Sequence, residues 1–228
     1  MKYFDSFAGV AGFSLGIERA YANLQPKDEQ LQMESDLSES DSELLQRTAL
    51  CIGFSEVNKY ASQVLRYRYP NIKNYGDITQ IDWSTVPDFD LFVGGSPCQD
   101  LSVAGKRKGL EGERSGLFAE YIRALEEKKP KYFIWENVKG VLSSNKGFDF
   151  ARVQDQMAQA GYGLWWQVLN AKDFGVPQNR ERVFVVGVRN GSPREILFER
   201  EGNEERAWQD GQGDAYCIQA QRDLRRLN

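Results

Sequence analysis

The sequence predicts an α/β fold built on a mostly parallel sheet with helices on both faces. Short apolar runs of strand length alternate with segments of helical periodicity. Glycine, proline or an acidic residue punctuates the ends of those runs. The polar residues that stand out, Asp5, Glu56, Asp77, Cys98 and Glu136, all fall at run ends. In a parallel sheet the ligand binds beyond the C-terminal strand edges, so these positions mark one functional rim.

Residues 1–7 read as a short buried strand ending in a turn that contains Gly9 and Gly12. Phe13, Ile17, Ala20 and Tyr21 recur at helical spacing over residues 13–22. A polar, Ser-rich and acidic stretch, about residues 25–47, reads as a surface insertion with at most a short helix near 40–47. Residues 48–54 form a second strand, closed by Glu56, and residues 58–68 a helix that stops before Pro70. A short third strand is expected over 72–75, leading into Gly76-Asp77-Ile78. The run 89–93 is a buried strand ending at Gly94-Gly95. A helix is expected from Ser115 to residue 128 with Leu117, Ile122 and Leu125 inward, then a strand over 131–135 that delivers Glu136. A helix over 149–160 stops at Gly161, and strands over 164–170 and 183–188 finish the pattern, joined by a loop with Pro177. Beyond about residue 190 the pattern degrades into a charged tail, with a short basic helix expected over 218–227.

At 228 residues the chain can bury one substantial domain, and five Trp with 41% apolar residues argue against disorder. No run of about 18 apolar residues exists to span a membrane, and the N-terminus lacks a secretory pattern, so cytoplasmic residence is expected. The chain has no histidine, which excludes every mechanism that needs an imidazole base. Its three cysteines are widely spaced with no CxxC pair, so no metal site is expected. The net charge of −4 looks wrong for a nucleic-acid enzyme, but residues 28–43 carry seven acidic side chains and no basic one. Removing those seven charges turns −4 into +3, so the acidity is local and a DNA partner remains open.

Four stretches carry chemistry. The first is Asp5-Ser-Phe-Ala-Gly9-Val-Ala-Gly12, a glycine-containing strand-to-helix turn that lets a ligand approach backbone. It lacks the dinucleotide fingerprint, and a plain tight turn explains it about as well. Glu56, at the end of the second strand, stands where a carboxylate can accept from both hydroxyls of a ribose; a solvated strand end is the bland alternative. The second is Gly94-Gly95-Ser96-Pro97-Cys98-Gln99. A lone cysteine is usually a buried hydrophobe, but Gly-Gly-Ser-Pro is poor core material, so a reactive loop thiol gains weight. The third is Glu136-Asn137-Val138, a carboxylate delivered by an apolar strand and suited to proton transfer, or else to a cap or an ion pair. The fourth is Gln178-Asn179-Arg180-Glu181-Arg182. Its two arginines alternate into a strand and suit an anion or a carbonyl, or else pair with Glu181 or Asp173 at a solvated edge.

Taken in order, these stretches resemble the DNA (cytosine-5) methyltransferase family over roughly residues 1–190. The blocks are DSFAGVAGF, Glu56, GDI at 76–78, GGSPCQDLSVAG, RSGLFAE at 114–120, ENVKG at 136–140 and QNRERVFVVG at 178–187. Pro-Cys-Gln followed by ENV and Q-x-R-x-R is a highly specific combination.

The resemblance implies a Rossmann-like S-adenosylmethionine-dependent methyltransferase fold. It implies a methyl group moved from S-adenosylmethionine to C5 of cytosine in double-stranded DNA, with S-adenosylhomocysteine as product. A restriction-modification setting in a bacterial cell or phage-infected host follows. By the same resemblance Cys98 would be the nucleophile that adds to C6, Glu136 would act at N3, and Arg182 with Arg180 would support the O2 side and a phosphate. Phe7, Gly9, Gly12, Glu56, Asp77, Ile78, Pro97 and Leu117 would bind the cofactor, with Glu56 on the ribose and Asp77 on the adenine amino group. Gln99 and Ser102 would lie on the loop that closes over a base flipped from the duplex. Ala11 stands where the family usually has a glycine.

The family continues into a target-recognition region and two further blocks, which residues 190–228 do not contain. On this reading residues 1–190 are the catalytic domain and 191–228 the start of that region. A missing C-terminal segment or a second chain would supply recognition. A tRNA-modifying relative and an inactive or split subunit that needs a partner are the alternatives.

Overall fold

The computed structural model describes residues 1–23, 49–97, 116–191 and 193. The insertion at 25–47, the expected helices at 40–47 and 218–227, the tail beyond 193, and Cys98, Gln99, Ser102 and Ser115 lie outside the described residues. Six strands form one mixed sheet in the order β2-β1-β3-β4-β6-β5. They are β1 (Lys2–Ser6), β2 (Leu50–Ser55), β3 (Leu91–Gly94), β4 (Tyr132–Val138), β5 (Tyr162–Asn170) and β6 (Glu181–Arg189). The helices are α1 (Gly12–Asn23), α2 (Lys59–Arg68), α3 (Leu117–Lys128) and α4 (Phe148–Gln159). The chain divides into two compact units, residues 1–95 with 127–133, and residues 96–126 with 134–228.

In the first unit β1 pairs in parallel with both β2 and β3. A strand with neighbours on both sides reads as a continuous buried run, and Tyr3 to Ser6 are all buried. Ser6 faces Gly94 across the β1–β3 ladder, and a Cβ at Gly94 would collide with Ser6 O and Oγ. That close approach is the physical reason for a glycine at the end of β3. Phe4 packs against Trp83, Phe89 and Phe92, with ring centroids between 5.2 and 6.0 Å. α2 starts at Asn58, whose side chain accepts from Tyr60 N and Ala61 N, and ends with Arg66 and Arg68 in its last turn.

Residues 72–75 do not form the expected third strand. A single parallel bridge joins Asn74 to Phe54, closed by Phe54 N to Lys73 O and Tyr75 N to Phe54 O. The polar side chain of Asn74 bonds backbone on both sides of it instead of continuing a ladder.

In the second unit the sheet departs from parallel. β5 and β6 pair antiparallel over nine residues without a register shift, from Tyr162 opposite Arg189 to Asn170 opposite Glu181. Residues 171–180 join them, too short a connection for the crossover of a dozen or more residues that parallel strands require. β4 runs further than the sequence predicts, so Glu136 lies inside it. The strand alternates strictly: Phe133, Trp135 and Asn137 are buried, while Tyr132, Ile134, Glu136 and Val138 are half-buried. α3 buries Phe118, Tyr121, Ile122, Ala124 and Leu125, whereas Leu117, expected inward, is half-buried. Phe118 meets Trp135 edge-on at 5.8 Å, and Phe150 of α4 meets Trp166 of β5 at 5.2 Å.

Candidate functional site

In the first unit, two carboxylates and an asparagine organise the turn after β1 and the end of β2. Gly9 N donates to Glu56 Oε2 at 2.7 Å, and Asn58 N donates to Glu56 Oε1 at 2.6 Å. Each carboxylate oxygen has one further acceptor site. That is the acceptor set a pair of donating vicinal hydroxyls needs, so the residues present fit the ribose of S-adenosylmethionine. Val10 and Val57, which follow Gly9 and Glu56 in the chain, are exposed apolar side chains.

Asn74 braces Glu56. Its Oδ1 accepts from Glu56 N at 3.1 Å and Gly76 N at 3.0 Å, while its Nδ2 donates to Glu56 O at 3.0 Å and Ser62 Oγ at 3.1 Å. One amide thereby ties the Glu56 backbone to the segment that carries Asp77 and Ile78. Ser55 Oγ adds a bond to Gly76 O. Asp77 caps a short 3₁₀ turn, Ile78–Gln80, its Oδ1 accepting from Thr79 N and Oγ1. Ile78 is only 2% exposed, so a ring could meet its side chain over no more than a narrow strip.

The turn between β1 and α1 is left-handed at three residues: Phe7 (φ 53°), Gly9 (φ 53°) and Ala11 (φ 69°). Glycine adopts that region freely, but Phe and Ala adopt it only under constraint from their surroundings. The constraint comes from Ala8 N on Ser55 O, Gly9 N on Glu56, and Asp5 Oδ2, which accepts from Ser14 N and Oγ. Phe7 is half-buried and Gly12, the first residue of α1, is exposed.

In the second unit Arg182 Nε of β6 stands 2.8 Å from Glu136 Oε1 of β4. Arg182 Nη1 also donates to Glu181 O at 2.8 Å, which fixes the plane of the guanidinium. Lys139 takes the Glu181 carboxylate at 2.9 Å, leaving Arg182 to Glu136. Arg180 does not join this pair. It is exposed, and its backbone N donates to Asn170 Oδ1. Leu117 and Pro97 also belong to this unit, the first half-buried and the second exposed.

Ser96, two residues before Cys98, is buried and held twice by β4. Trp135 Nε1 donates to Ser96 Oγ and Asn137 Nδ2 donates to Ser96 O, each at 3.0 Å. Strand alternation puts these two anchors on the face opposite Glu136. Sequence reasoning gave no role to Ser96 or Asn137, though both lie in stretches it singled out, and passed over Trp135, Asn58, Ser14 and Asn74. The alternation of Trp135 and Asn137 around Glu136 is the signal that could have found the first three. No signal short of three dimensions marks Asn74. Cys51, the cysteine among the described residues, is buried, and burial pushes its thiol up to about 12. It has no nucleophilic character near neutral pH.

Among the described residues no group of acidic or cysteine side chains is arranged to hold a metal ion. No helix among them is long and apolar enough to cross a membrane.

Comparison with known proteins gives a consistent picture. The family model for C-5 cytosine-specific DNA methylase matches residues 1–226. The orphan methyltransferase M.Rho11sI of Bacillus phage rho11s is 47% identical over 140 residues, 60% of this chain and 28% of that protein. The type II methyltransferase M.NlaIV of Neisseria lactamica is 36% identical over 206 residues, 87% of this chain and 44% of that protein. The chain therefore spans less than half the length of either relative. The crystal structure of the S. pombe Dnmt2 methyltransferase matches with a TM-score of 0.59 at 17% identity, covering 91% of this chain and 58% of that one. At that identity the likeness speaks for the fold alone, and it agrees with the methyltransferase fold expected from the sequence.

Proposed function

The chain belongs to the C-5 cytosine-specific DNA methylase family, and from that premise we propose that it carries the catalytic machinery for methyl transfer to C5 of cytosine in DNA. The observation that carries the proposal is the Glu136–Arg182 pair. Arg182 occupies Glu136 Oε1, and Oε2 has no hydrogen bond among the described residues. A carboxyl group oriented through one oxygen and open at the other suits proton exchange with a heterocycle nitrogen.

C5 of cytosine is a weak nucleophile. In the proposed sequence the Cys98 thiolate adds to C6, while Glu136 holds a proton at N3 and Arg182 supports the O2 side, so negative charge does not build up on the ring. The ring becomes an enamine whose C5 is nucleophilic. S-adenosylmethionine, held by Glu56, Gly9 and Asp77, supplies an electrophilic methyl group when bound. A base or water then removes the C5 proton, and elimination of the thiolate from C6 releases Cys98. The base has to leave the duplex for any of these residues to reach it. The chain has no imidazole to activate the thiol, so nearby positive charge, with Arg182 the first candidate, takes that role.

The test is covalent capture. Duplex DNA with 5-fluorocytosine at the target position blocks the loss of the C5 substituent and traps the adduct. With S-adenosylmethionine present, a denaturant-resistant adduct that disappears in Cys98→Ser supports the reading. No adduct, even when the remaining half of a relative is added as a separate fragment, would overturn it.

A further inference from the structure

We infer that Asp5 is a positioning residue of the cofactor site, acting through Ser14 on the turn formed by residues 7–12; the inference rests on reading that turn and Glu56 as the cofactor's. Asp5 and Ser14 are both 0% exposed. Asp5 Oδ2 accepts from Ser14 Oγ at 2.7 Å and from Ser14 N at 3.3 Å. Ser14 lies in the first turn of α1, so these bonds fix the helix start against the end of β1. Between the two anchored points the chain passes through left-handed Phe7, Gly9 and Ala11. Two carboxylates thus hold one strained turn: Glu56 through Gly9 N on the outside, Asp5 through Ser14 underneath. The proposed chemistry uses Glu56 directly and leaves Asp5 without a role.

The second oxygen of Asp5 points to the form of that role. Oδ1 is buried and has no hydrogen-bond partner among the described residues. Burial raises the Asp5 carboxyl to about 7, the Ser14 bonds oppose the rise, and the negative charge of Glu56 adds to it. The other titratable groups facing this cluster are Cys51 of β2 and Tyr3 of β1, and Tyr3 OH donates to Glu18 of α1. Across β3 the facing residue is the neutral Val93. An ionised carboxylate holds the two Ser14 donors more strongly than a neutral one. A ligand that requires the tightened turn therefore binds the ionised form better, and its affinity rises with pH until Asp5 is fully ionised. With no histidine in the chain, no imidazole titrates across the same range.

The experiment titrates S-adenosylhomocysteine by calorimetry from about pH 5.5 to about pH 8.5, against wild type, Asp5→Asn, Ser14→Ala and Glu56→Ala. Wild-type affinity is expected to rise with pH and level off above neutrality. Asp5→Asn should bind about five-fold more weakly on that plateau, the difference between a charged and a neutral acceptor, and should show no rise. Ser14→Ala keeps the backbone donor and loses the hydroxyl, so its midpoint should move to higher pH. A merely structural loss would weaken binding without moving a midpoint. If Asp5→Asn fails to fold, the shift in Ser14→Ala decides the matter. Folded variants with the wild-type affinity and pH profile would overturn the inference while Glu56→Ala still weakens binding. If Glu56→Ala has no effect, the cofactor reading of the pocket is what fails, and the inference falls with it.

Discussion

Arg182 Nε and Glu136 Oε1 meet at 2.8 Å across neighbouring strands, with the side chains 22% and 23% exposed. Two partly shielded groups that orient one another act as a unit, and their losses should not add. Glu136→Gln is expected to slow single-turnover methyl transfer by about 10² to 10⁴, the usual worth of a positioned proton donor. S-adenosylhomocysteine affinity should stay unchanged, because the pair is not among the residues proposed to hold the cofactor. The double variant with Arg182→Ala should be slower than Glu136→Gln alone, because Arg182 also serves the O2 side and the thiol, but by less than the product of the two single losses. A double variant slower by the product of the single losses would show that the two residues act independently.

Asn74 satisfies four groups with one side chain: Glu56 N, Glu56 O, Gly76 N and Ser62 Oγ. Removing it strands two part-buried backbone donors, each costing about 1 kcal/mol or more. Asn74→Ala should lower stability by about 2–3 kcal/mol in urea denaturation. It should also weaken S-adenosylhomocysteine binding, since the brace sets the Glu56 backbone. Asn74→Asp keeps the acceptor and loses both Nδ2 donations, so an intermediate effect on both readouts is expected. Loss of stability with unaltered affinity would separate the brace from the cofactor site.

Gly94 offers a test of the sheet itself. A Cβ there would enter Ser6 hydroxyl and backbone space at the β1–β3 ladder, and even if the hydroxyl turned away the backbone oxygen could not. Gly94→Ala should cost on the order of 3 kcal/mol or prevent folding, beyond ordinary overpacking, because strands must separate. Gly16, whose Cβ would meet nothing within 4 Å, is the control, and Gly16→Ala should be neutral or stabilising. Comparable midpoints for the two variants would show that the sheet accommodates the added carbon.

Much of this was legible in the sequence, because strands and helices leave periodic patterns. The runs at 1–7, 48–54, 89–93 and 131–135 became β1 to β4, and α2 stops before Pro70 as local chain chemistry dictates. Residues 72–75 misled because Ile72-Lys73-Asn74-Tyr75 is too short to carry a periodicity, and nothing in it shows that the Asn74 side chain bonds backbone in place of a ladder. The residue types proposed for the site stood out at Glu56, Glu136 and Arg182, since each flanks an apolar run. Their partners did not. The contact of Asp5 with Ser14 depends on how the turn folds the start of α1 back onto β1, and those of Ser96 with Trp135 and Asn137 depend on which strands neighbour one another, a tertiary property.

The pH dependence of stability should run opposite to that of cofactor binding, through the same carboxyl group. Asp5 is raised to about 7 in the folded chain by burial, against the ordinary carboxylate range once unfolded. Between those values the folded state binds more protons than the unfolded one, so stability is greatest at the acid end of the window and falls as pH rises toward neutrality. One proton sets a slope of at most about 1.4 kcal/mol per pH unit. Asp82 and Asp88 cannot supply this slope. Bonds from Ser84 and from Lys128 hold their carboxyls below the usual range, so they titrate below the window rather than through it. The chain has no histidine to titrate within it. Urea denaturation at intervals from about pH 5 to about pH 8 should therefore show a decline in wild type that Asp5→Asn flattens. An unchanged decline in that variant would assign the proton to another group and leave Asp5 ionised throughout.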